Sequence, residues 1–460
     1  MNLRFLLHLA VFLLILPSFI HAGNPADSLI SDTKKDKIKT GWNFGGLPAV
    51  SYDSDMGFQY GALANIYYYG DGSTYPQYFH SFYFEVSRYT KGTGINQFFF
   101  DTKKLIPKIR VTADITNLTE KALNFYGFNG YESVYHHPWE NSKADSSIYK
   151  TRMFYRYQRD LLRIGADFQG KFFHPRLLWL AGFTYLKIYT GQVNVDRLNR
   201  GVKQSKKLPN VPGLYENYVK WGILGKDSAG GMNNFIKLGL IYDTRDNEPN
   251  PMHGIWDEAV MAVAPGFIGD GHYSFIKLSV THRQYFTLAK DLLSFAYRIA
   301  YQGTIAGTAP FYIQSYMINS FSQTTTIDGL GGSRTLRGIL RNRVVGDGVV
   351  YGNAEFRWKF IRFHWIRQNF YLALNAFADA GMVVQPIAIN KSGIPVGGDQ
   401  SQYVDQSKYF SSDKESPHLA LGAGFRIVMN QNFIICADYG QAMDIRDGTN
   451  GIYVGLGYLF

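Results

Sequence analysis

The chain has little with which to cross-link or anchor itself. Its 460 residues include one cysteine, Cys436. Neither an internal disulfide nor a lipid-modified cysteine behind an export signal is therefore available. Beyond Phe19 there is no run of about 18 uninterrupted apolar residues, which excludes transmembrane helices. A soluble protein and a membrane β-barrel remain.

Recognisable catalytic and metal-binding patterns are also missing. The segment Gly331-Gly332-Ser333-Arg334-Thr335 has threonine where a nucleophile elbow needs its closing glycine. Asp53 and Asp55 lack the further oxygen ligands of a calcium loop. His136 and His137, read as neighbours in a strand, would point to opposite faces. We assign no catalytic residue, no metal and no cofactor.

The residues that are abundant favour a barrel. Tyrosine and phenylalanine number 33 and 34 against 7 tryptophans, and 46% of the chain is hydrophobic, a composition that suits pleated, half-exposed surfaces. The net charge of +11 comes from basic residues scattered along the chain, without a nucleic-acid motif. We therefore expect no nucleic-acid partner, and assign these residues to the lumen and to the phosphates of outer-membrane lipid and lipopolysaccharide.

The first residues predict export. Arg4 precedes an apolar run from Phe5 to Phe19, and Ala22 offers a small residue at the cut. We expect a signal peptide over residues 1–22 and a short flexible periplasmic leader over 23–41. The remaining residues, 42–460, form the barrel domain.

Most of the chain alternates apolar and polar residues with a period of two. From Lys108 to Ile115 the apolar residues fall on one face and the charged ones on the other. Residues 276–283, 353–360 and 418–427 repeat this pattern. In a membrane barrel the apolar face meets lipid and the polar face lines the lumen. The sequence predicts an all-β fold, a transmembrane antiparallel β-barrel of about 16 strands.

Two long polar stretches interrupt the strands, Gly191 to Asn233 and Gln385 to Ser416. Because periplasmic turns of barrels are short, both are expected to be extracellular loops. The last strand is predicted to place a row of apolar residues on the outer face, ending in an aromatic C-terminal insertion signal formed by Tyr458 and Phe460; the whole row is Ile452, Val454, Leu456, Tyr458 and Phe460. The alternative is an edge strand of a soluble sheet, whose long apolar edge would invite aggregation.

Several motifs resemble one known family. Asp243-Thr244-Arg245-Asp246-Asn247, followed by Pro251, Gly254 and Trp256, is similar to a strand-turn-strand signature of the BamA/TamA superfamily of outer-membrane assembly factors (the bacterial surface antigen family). Segments similar to further family strands follow in the family's order; they are 353–357, 377–381, 422–426 and 438–440, and the first strand fits near Leu47 to Tyr52. The resemblance implies an outer-membrane barrel whose first and last strands are neighbours.

The most specific resemblance is a loop. It has the family's apolar-Arg-Gly-apolar hallmark, with isoleucine where the family carries an aromatic residue; the residues are Gly331, Gly332, Leu336, Arg337, Gly338 and Ile339. The resemblance implies a long loop folded into the lumen, with Arg337 latched to Glu355 and Asp379. Without the resemblance, Arg337 would be a solvent-exposed loop arginine of little consequence.

The family's insertion and secretion proteins carry periplasmic repeats ahead of the barrel, whereas residues 23–41 could not form even one small domain. We expect an outer-membrane barrel that assists protein assembly or export with partners, either assembly-complex proteins or client barrels. A passive pore is the alternative, supported by the charged lumen. A hydrolase has the least support.

Overall fold

The computed structural model describes residues 38–75, 77–320, 328–365, 368–395, 403–429 and 433–460. The predicted signal peptide and most of the leader lie outside these residues. The described residues form eighteen strands: β1 (Trp42–Pro48), β2 (Ser51–Asp53), β3 (Gly57–Tyr68), β4 (His80–Tyr89), β5 (Thr93–Ile106), β6 (Ile109–Asn124), β7 (Arg156–Lys171), β8 (Leu177–Gly191), β9 (Gly230–Met232), β10 (Phe235–Asp243), β11 (Gly254–Ala264), β12 (Phe275–Ala289), β13 (Leu293–Gly307), β14 (Gly348–Trp365), β15 (Gln368–Gln385), β16 (His418–Met429), β17 (Phe433–Ala442) and β18 (Asn450–Leu456).

The helices are short and lie in the connections. They are α1 (His137–Glu140), α2 (Val195–Leu198), α3 (Leu214–Lys220) and α4 (Phe311–Gln314), with 3-10 turns at Gly130–Glu132, Gln204–Lys206, Lys226–Ala229, Gly266–Ile268, Gln406–Lys408 and Ile445–Asp447. Within the described ranges, no helix is long and apolar enough to cross a membrane.

The strands form a closed antiparallel barrel with 16 positions, as the sequence predicts. β1 and β2 both pair with β3 and together occupy one position of the ring. The short strand β9 pairs with the end of β8 and is not counted as a position. β10 pairs with both β8 and β11. The ring closes where β18 pairs with β2.

The connections differ sharply between the two rims. At one rim lie the long connections 125–155, 192–234, 308–347 and 386–417, which include both predicted long loops. At the other rim the turns are short, such as 107–108 and 290–292, and the longest is 69–79. Because short turns mark the periplasmic side of barrels, we call this the periplasmic rim and the other the extracellular rim.

The period-two alternation is confirmed by the exposure of the side chains. Along β12, Lys277 and Thr281 are buried in the lumen, whereas Val280 is exposed on the outer face. Along β14, Glu355 is buried and Phe356 is exposed. Charged side chains in such a lumen need partners, and many of them form ion pairs with neighbouring side chains of the inner wall.

The prediction for the end of the chain is wrong in part. Ile452 and Leu456 lie on the outer face as expected, but β18 ends at Leu456, so Tyr458 and Phe460 lie beyond the strand. Phe460 is buried against Tyr285, and its carbonyl oxygen accepts a hydrogen bond of 2.9 Å from the guanidinium of Arg357. Gly457 (φ +87°) gives the chain a conformation that leaves the strand path, so the final aromatic ring turns inward. A role in insertion stays a prediction.

Both mouths of the barrel are covered. Buried aromatic side chains from the long extracellular loops pack into one cluster, the aromatic cap, which contains Phe125, Phe128, Trp139, Phe154, Tyr155, Tyr215, Tyr218, Trp221 and Phe410. At the periplasmic mouth the turn 244–253 reaches two walls: Glu248 pairs with Arg110 at 3.2 Å, and Asn250 donates a hydrogen bond of 2.6 Å to the Tyr371 hydroxyl.

Candidate functional site

In the connection between β13 and β14, residues 328–347 fold into the lumen; we call them the inner loop. They are largely buried. Leu336 and Ile339, two of the predicted loop residues, pack with Leu330 and Val344 against apolar residues of the wall, among them Val349 and Ala420. The loop therefore lies inside the lumen, as the sequence predicts.

Arg337 lies at the centre of the loop and is fully buried. Its Nε and Nη2 donate to the two carboxylate oxygens of Asp379 at 2.9 and 3.0 Å, and its backbone N–H donates to Asp379 Oδ2 at 3.0 Å. Its Nη1 donates to Glu355 Oε1 at 2.6 Å. The guanidinium also lies over the ring of Phe377, 3.4 Å from its centroid. The structure therefore brings together the three residues named for the latch.

The carboxylates around Arg337 are shared with two further arginines of the wall. Arg357 donates to Glu355 Oε2 at 2.8 Å, and Arg426 forms two bonds of 2.7 and 2.9 Å to Asp438. Asp438 Oδ2 lies 3.6 Å from Arg337 Nη1. Three cations thus face three anions in a water-poor lumen, where planar guanidinium groups suit paired carboxylate oxygens.

Gly338 allows the loop to lie flat on β17. A Cβ atom at Gly338 would come 2.5 Å from the carbonyl carbon of Gly440, and one at Gly440 would come 2.5 Å from the carbonyl carbon of Arg337. Gly338 also has φ +95°, which side chains rarely adopt. Two glycines face each other because the backbones touch. Gly331 and Gly332 lie across the loop from Ile339, and the N–H group of Gly332 donates to Ile339 O at 2.9 Å.

Two more arginines fix the inner loop, and the sequence analysis did not single them out. Arg341 pairs with Glu120 of β6 at 2.7 Å and with Asp328 at 3.1 Å, beside Arg159, which binds the same two carboxylates. Arg343 donates to the carbonyl oxygens of Gly130 and Ser133 in the connection 125–155. The arginines at 337, 341 and 343 form a cluster in the sequence, and that cluster was the available signal.

The seam, where β18 meets β2, is the weakest junction of the wall. It contains two residue pairs, Tyr453 with Asp53 and Val454 with Tyr52, whereas β17 and β18 share seven. Ser54 adds a backbone bond of 3.1 Å to Ile452 O. The predicted neighbours are confirmed, but the pairing uses Tyr52 and Asp53 rather than the predicted stretch from Leu47. In the described part of the chain, β1 has no ladder with β18.

The inner loop contacts both sides of the seam. On the β18 side, Gly338 N–H donates to the Tyr453 hydroxyl at 3.1 Å. On the β2 side, Arg341 N–H donates to Asp55 Oδ1 at 3.2 Å, in the hairpin that joins β2 to β3. Burial, together with the charge of Asp53, raises the pKa of Asp55 to about 7. One loop therefore spans the junction, through Tyr453 on β18 and Asp55 in the hairpin that follows β2.

The turn after β10, which carries the motif Asp243-Thr244-Arg245-Asp246-Asn247, is a structural element of the periplasmic rim. Arg245 pairs with Asp243 at 2.7 Å and stacks over Trp256, 3.9 Å from its ring centre. Asp246 Oδ1 accepts the backbone N–H of Met252 at 3.0 Å, which closes the turn. Each charged residue of this motif has a local partner, so the motif shapes the rim.

The reason given for rejecting a metal at His136 and His137 is wrong. His137 begins helix α1, with His136 at its N-cap, because Pro138 favours the first turn of a helix. The two residues therefore do not belong to a strand. Among the described residues no group of three or more histidine, cysteine or carboxylate side chains is arranged to hold a metal ion.

Comparison with models of protein families identifies the family of this chain. The model of the Omp85 superfamily domain matches residues 181–460. The chain belongs to the Omp85 superfamily. This Omp85 barrel matches BamA from Haemophilus ducreyi lacking POTRA domains 1-3 with 12% identity, 91% of this chain and 71% of that chain covered, and a TM-score of 0.48. No curated protein matches it.

Among solved structures, CdiB from Escherichia coli shares the fold of this Omp85 barrel. The two are 10% identical with a TM-score of 0.53, and the match covers 91% of this chain and 62% of CdiB. CdiB from Acinetobacter baumannii matches with 11% identity, a TM-score of 0.45, and 91% and 60% of the two chains covered. This chain thus spans less than two thirds of both CdiB chains.

Proposed function

We propose that this Omp85 barrel assists the assembly of other outer-membrane proteins by opening the seam between β2 and β18 to a strand of a client barrel. The observation that carries the proposal is the short pairing at the seam, which has two residue pairs where the adjacent junction between β17 and β18 has seven. An opened seam would expose unpaired N–H and C=O groups on both strands. Such edges bind extended peptides by strand addition.

The surroundings of the seam suit a client of this kind. Trp42 and Phe44 of β1 and Leu456 of β18 are exposed on the outer face. A client strand entering there would keep its own apolar side chains towards lipid, in line with these neighbours. The resulting hybrid sheet would satisfy backbone groups that lipid cannot.

The inner loop supplies the control. Because it contacts Tyr453 on one side of the seam and Asp55 on the other, the seam can widen only when one of these contacts is released. The anchoring of Arg337 on Asp379 and Glu355 holds the loop in place on the side of the last strands. We therefore assign Arg337, Glu355 and Asp379 the role of a latch on seam opening.

The proposal includes the location and the processing of the chain. Residues 1–22 serve as a signal peptide, residues 23–41 as a periplasmic leader, and 42–460 as the barrel in the outer membrane of a diderm bacterium. Partners are outer-membrane lipid, lipopolysaccharide and client barrels. Assembly-complex proteins would deliver those clients.

The alternative of a passive pore rests on the charged lumen. Many of the described lumen charges are engaged in ion pairs, for example Arg163 with Asp114 at 2.6 Å and Lys237 with Asp167 at 2.6 Å. The inner loop fills the middle of the barrel, and the aromatic cap covers its extracellular mouth. These features favour a barrel that is closed to solutes at rest.

A crosslinking experiment tests the proposal. The photoreactive residue p-benzoylphenylalanine is placed at Leu456, beside the seam, or at Phe183, which is also exposed but lies on β8. The purified barrel in phosphatidylcholine vesicles then receives a small transmembrane barrel protein unfolded in urea. We expect faster insertion than in empty vesicles and crosslinks from Leu456 but not from Phe183. Equal insertion rates, or equal crosslinks from both sites, would overturn the proposal.

A further inference from the structure

Four polar side chains lie on the outer, lipid-facing surface of the wall opposite the seam. They are Asp257 on β11, His282 and Gln284 on β12, and Tyr297 on β13. Their direction follows from strand alternation, because the adjoining Glu258, Arg283 and Arg298 are buried in the lumen. We call these four residues the outer polar cluster.

The outer polar cluster lies within the apolar belt of the outer surface. His282 is the central residue of β12, and it pairs in register with Asp257. Towards the extracellular rim the same face carries Val280, and towards the periplasmic rim it carries Phe286, both exposed. The polar groups are thus bounded by apolar side chains along the strand in both directions.

Within the cluster the side chains form a chain of hydrogen bonds. Asp257 Oδ1 lies 2.6 Å from His282 Nδ1, His282 Nε2 lies 2.9 Å from the Tyr297 hydroxyl, and that hydroxyl donates to Gln284 Oε1 at 2.9 Å. Nothing in the described chain covers them: the side chains of Asp257 and His282 keep 42% and 37% of their surface exposed. Ionisable groups facing lipid are costly and usually mark a functional contact.

We propose that the outer polar cluster is the centre of an interface with a second copy of this chain, related by a two-fold axis along the membrane normal between β11 and β12. Asp257 and His282 are register partners on adjacent strands, so the tilt of the strands separates them by only about 3 Å in depth. Rotation by a half turn about that axis exchanges left and right but keeps depth. The carboxylate of each copy therefore meets the imidazole of the other, twice.

Charge complementarity selects a second copy over a different partner. The surface offers one acidic and one basic group next to each other, in the middle of lipid. A partner segment with a single cation would satisfy Asp257 but would set that cation beside His282. A second copy offers both groups in the required order without any further residue. The interface also lies away from the seam, so the seams of both copies would remain in contact with lipid.

Two single variants and their mixture test the interface. Asp257→His leaves a chain with two imidazoles in the row, and His282→Asp leaves one with two carboxylates. Each substitution breaks the pair of residues 257 and 282 within its own chain. Across the homodimer interface it would bring like groups together. In a mixture, however, two imidazoles face two carboxylates. Any recovery on mixing therefore reports contact between copies and not repair inside one chain.

The readout is energy transfer between donor- and acceptor-labelled chains diluted in phosphatidylcholine vesicles at pH 6.5. We expect transfer for the wild type, at least a tenfold loss of apparent dimer affinity for each variant alone, and recovery for the mixture. Wild-type transfer no higher than for chains mixed at random would overturn the proposal. So would variants that associate as well as the wild type, or a mixture without recovery.

A second measurement covers variants that fail to fold. In a Cys436→Ser background, Val280→Cys should be crosslinked between copies by a short bismaleimide in native membranes. The matched control is Val86→Cys on β4, which is exposed on a distant part of the wall. Crosslinked dimer from Val280→Cys alone supports the interface, and equal yields from both positions contradict it. Neither measurement depends on client assembly.

Discussion

Asp379 accepts three hydrogen bonds from one residue, Arg337: two from its guanidinium and one from its backbone N–H, all between 2.9 and 3.0 Å. The side chain and the backbone of the inner loop are thus fixed to β15 by a single carboxylate. Position and orientation of the loop are set together. This relationship makes Arg337 the residue through which the proposed latch can be tested.

Removing the guanidinium should release the loop. Arg337→Ala leaves the buried Asp379 without its cation and removes one of the two arginines that bind Glu355, which should lower the free energy of unfolding by about 3 kcal/mol. Arg337→Lys should restore only part of the loss, because an ammonium group lacks the planar, forked arrangement of N–H groups with which the guanidinium bonds both carboxylates. Thermal unfolding and protease digestion of intact vesicles measure the effect. An Arg337→Ala protein with wild-type stability and digestion would exclude the latch.

Gly338 should be as sensitive as Arg337, for a steric reason. Gly338→Ala places a methyl group against the backbone of Gly440 at a positive φ, so the loop must move off β17. We expect the same protease-sensitive loop as in Arg337→Ala. Gly222→Ala is the control, since Gly222 also has a positive φ (+69°) but nothing within 4 Å of the added atom. If both variants behave alike, strain and not the contact with β17 is the cause.

The hairpin at the seam should respond to pH. The pKa of Asp55 is about 7 in the folded chain, above the value of about 3.9 in an unfolded one, so the folded chain binds a proton that the unfolded chain lacks. The stabilisation is therefore complete at low pH and is lost as pH rises through 7. Hydrogen exchange of residues 54–58, corrected for intrinsic rates, should show less protection at pH 8 than at pH 5.5. Asp55→Asn should remove this difference; an unchanged difference would assign it to another group.

Conductance separates the proposed function from the pore alternative. The wild type should show little steady current in planar bilayers, because the inner loop and the aromatic cap occupy the passage. Deletion of residues 329–346 should open a large channel if the wall persists without the loop, which a heat-modifiable gel band would verify. A large steady conductance of the wild type would favour the pore.

The sequence predicted the fold well because lipid imposes a simple rule. Alternation along β6, β12 and β14 has one physical cause, lipid outside and polar groups inside, so single strands could be recognised without knowledge of their neighbours. Arg337 with Glu355 and Asp379 followed from the family resemblance, not from the residues themselves. Their contact joins positions on three separate elements, which no periodicity encodes.

What the sequence did not predict depends on long-range geometry. Phe460 was assigned to the outer face by extending the alternation of β18, but the chain leaves the strand at Gly457. Arg341 was missed because its partner on the wall, Glu120, is 221 residues away in the sequence. The pairing of Asp257 with His282 becomes visible only when the register of β11 and β12 is known.

The central claim is that the seam must open for client assembly. Tyr52 and Val454 are direct partners across it, so Tyr52→Cys with Val454→Cys, in a Cys436→Ser background, should form a disulfide on oxidation. The measurement is the rate at which an unfolded client barrel inserts into vesicles containing this variant, before and after reduction. We predict that insertion falls to the rate of empty vesicles when the seam is oxidised and recovers on reduction. Full insertion activity with an oxidised seam would contradict the account.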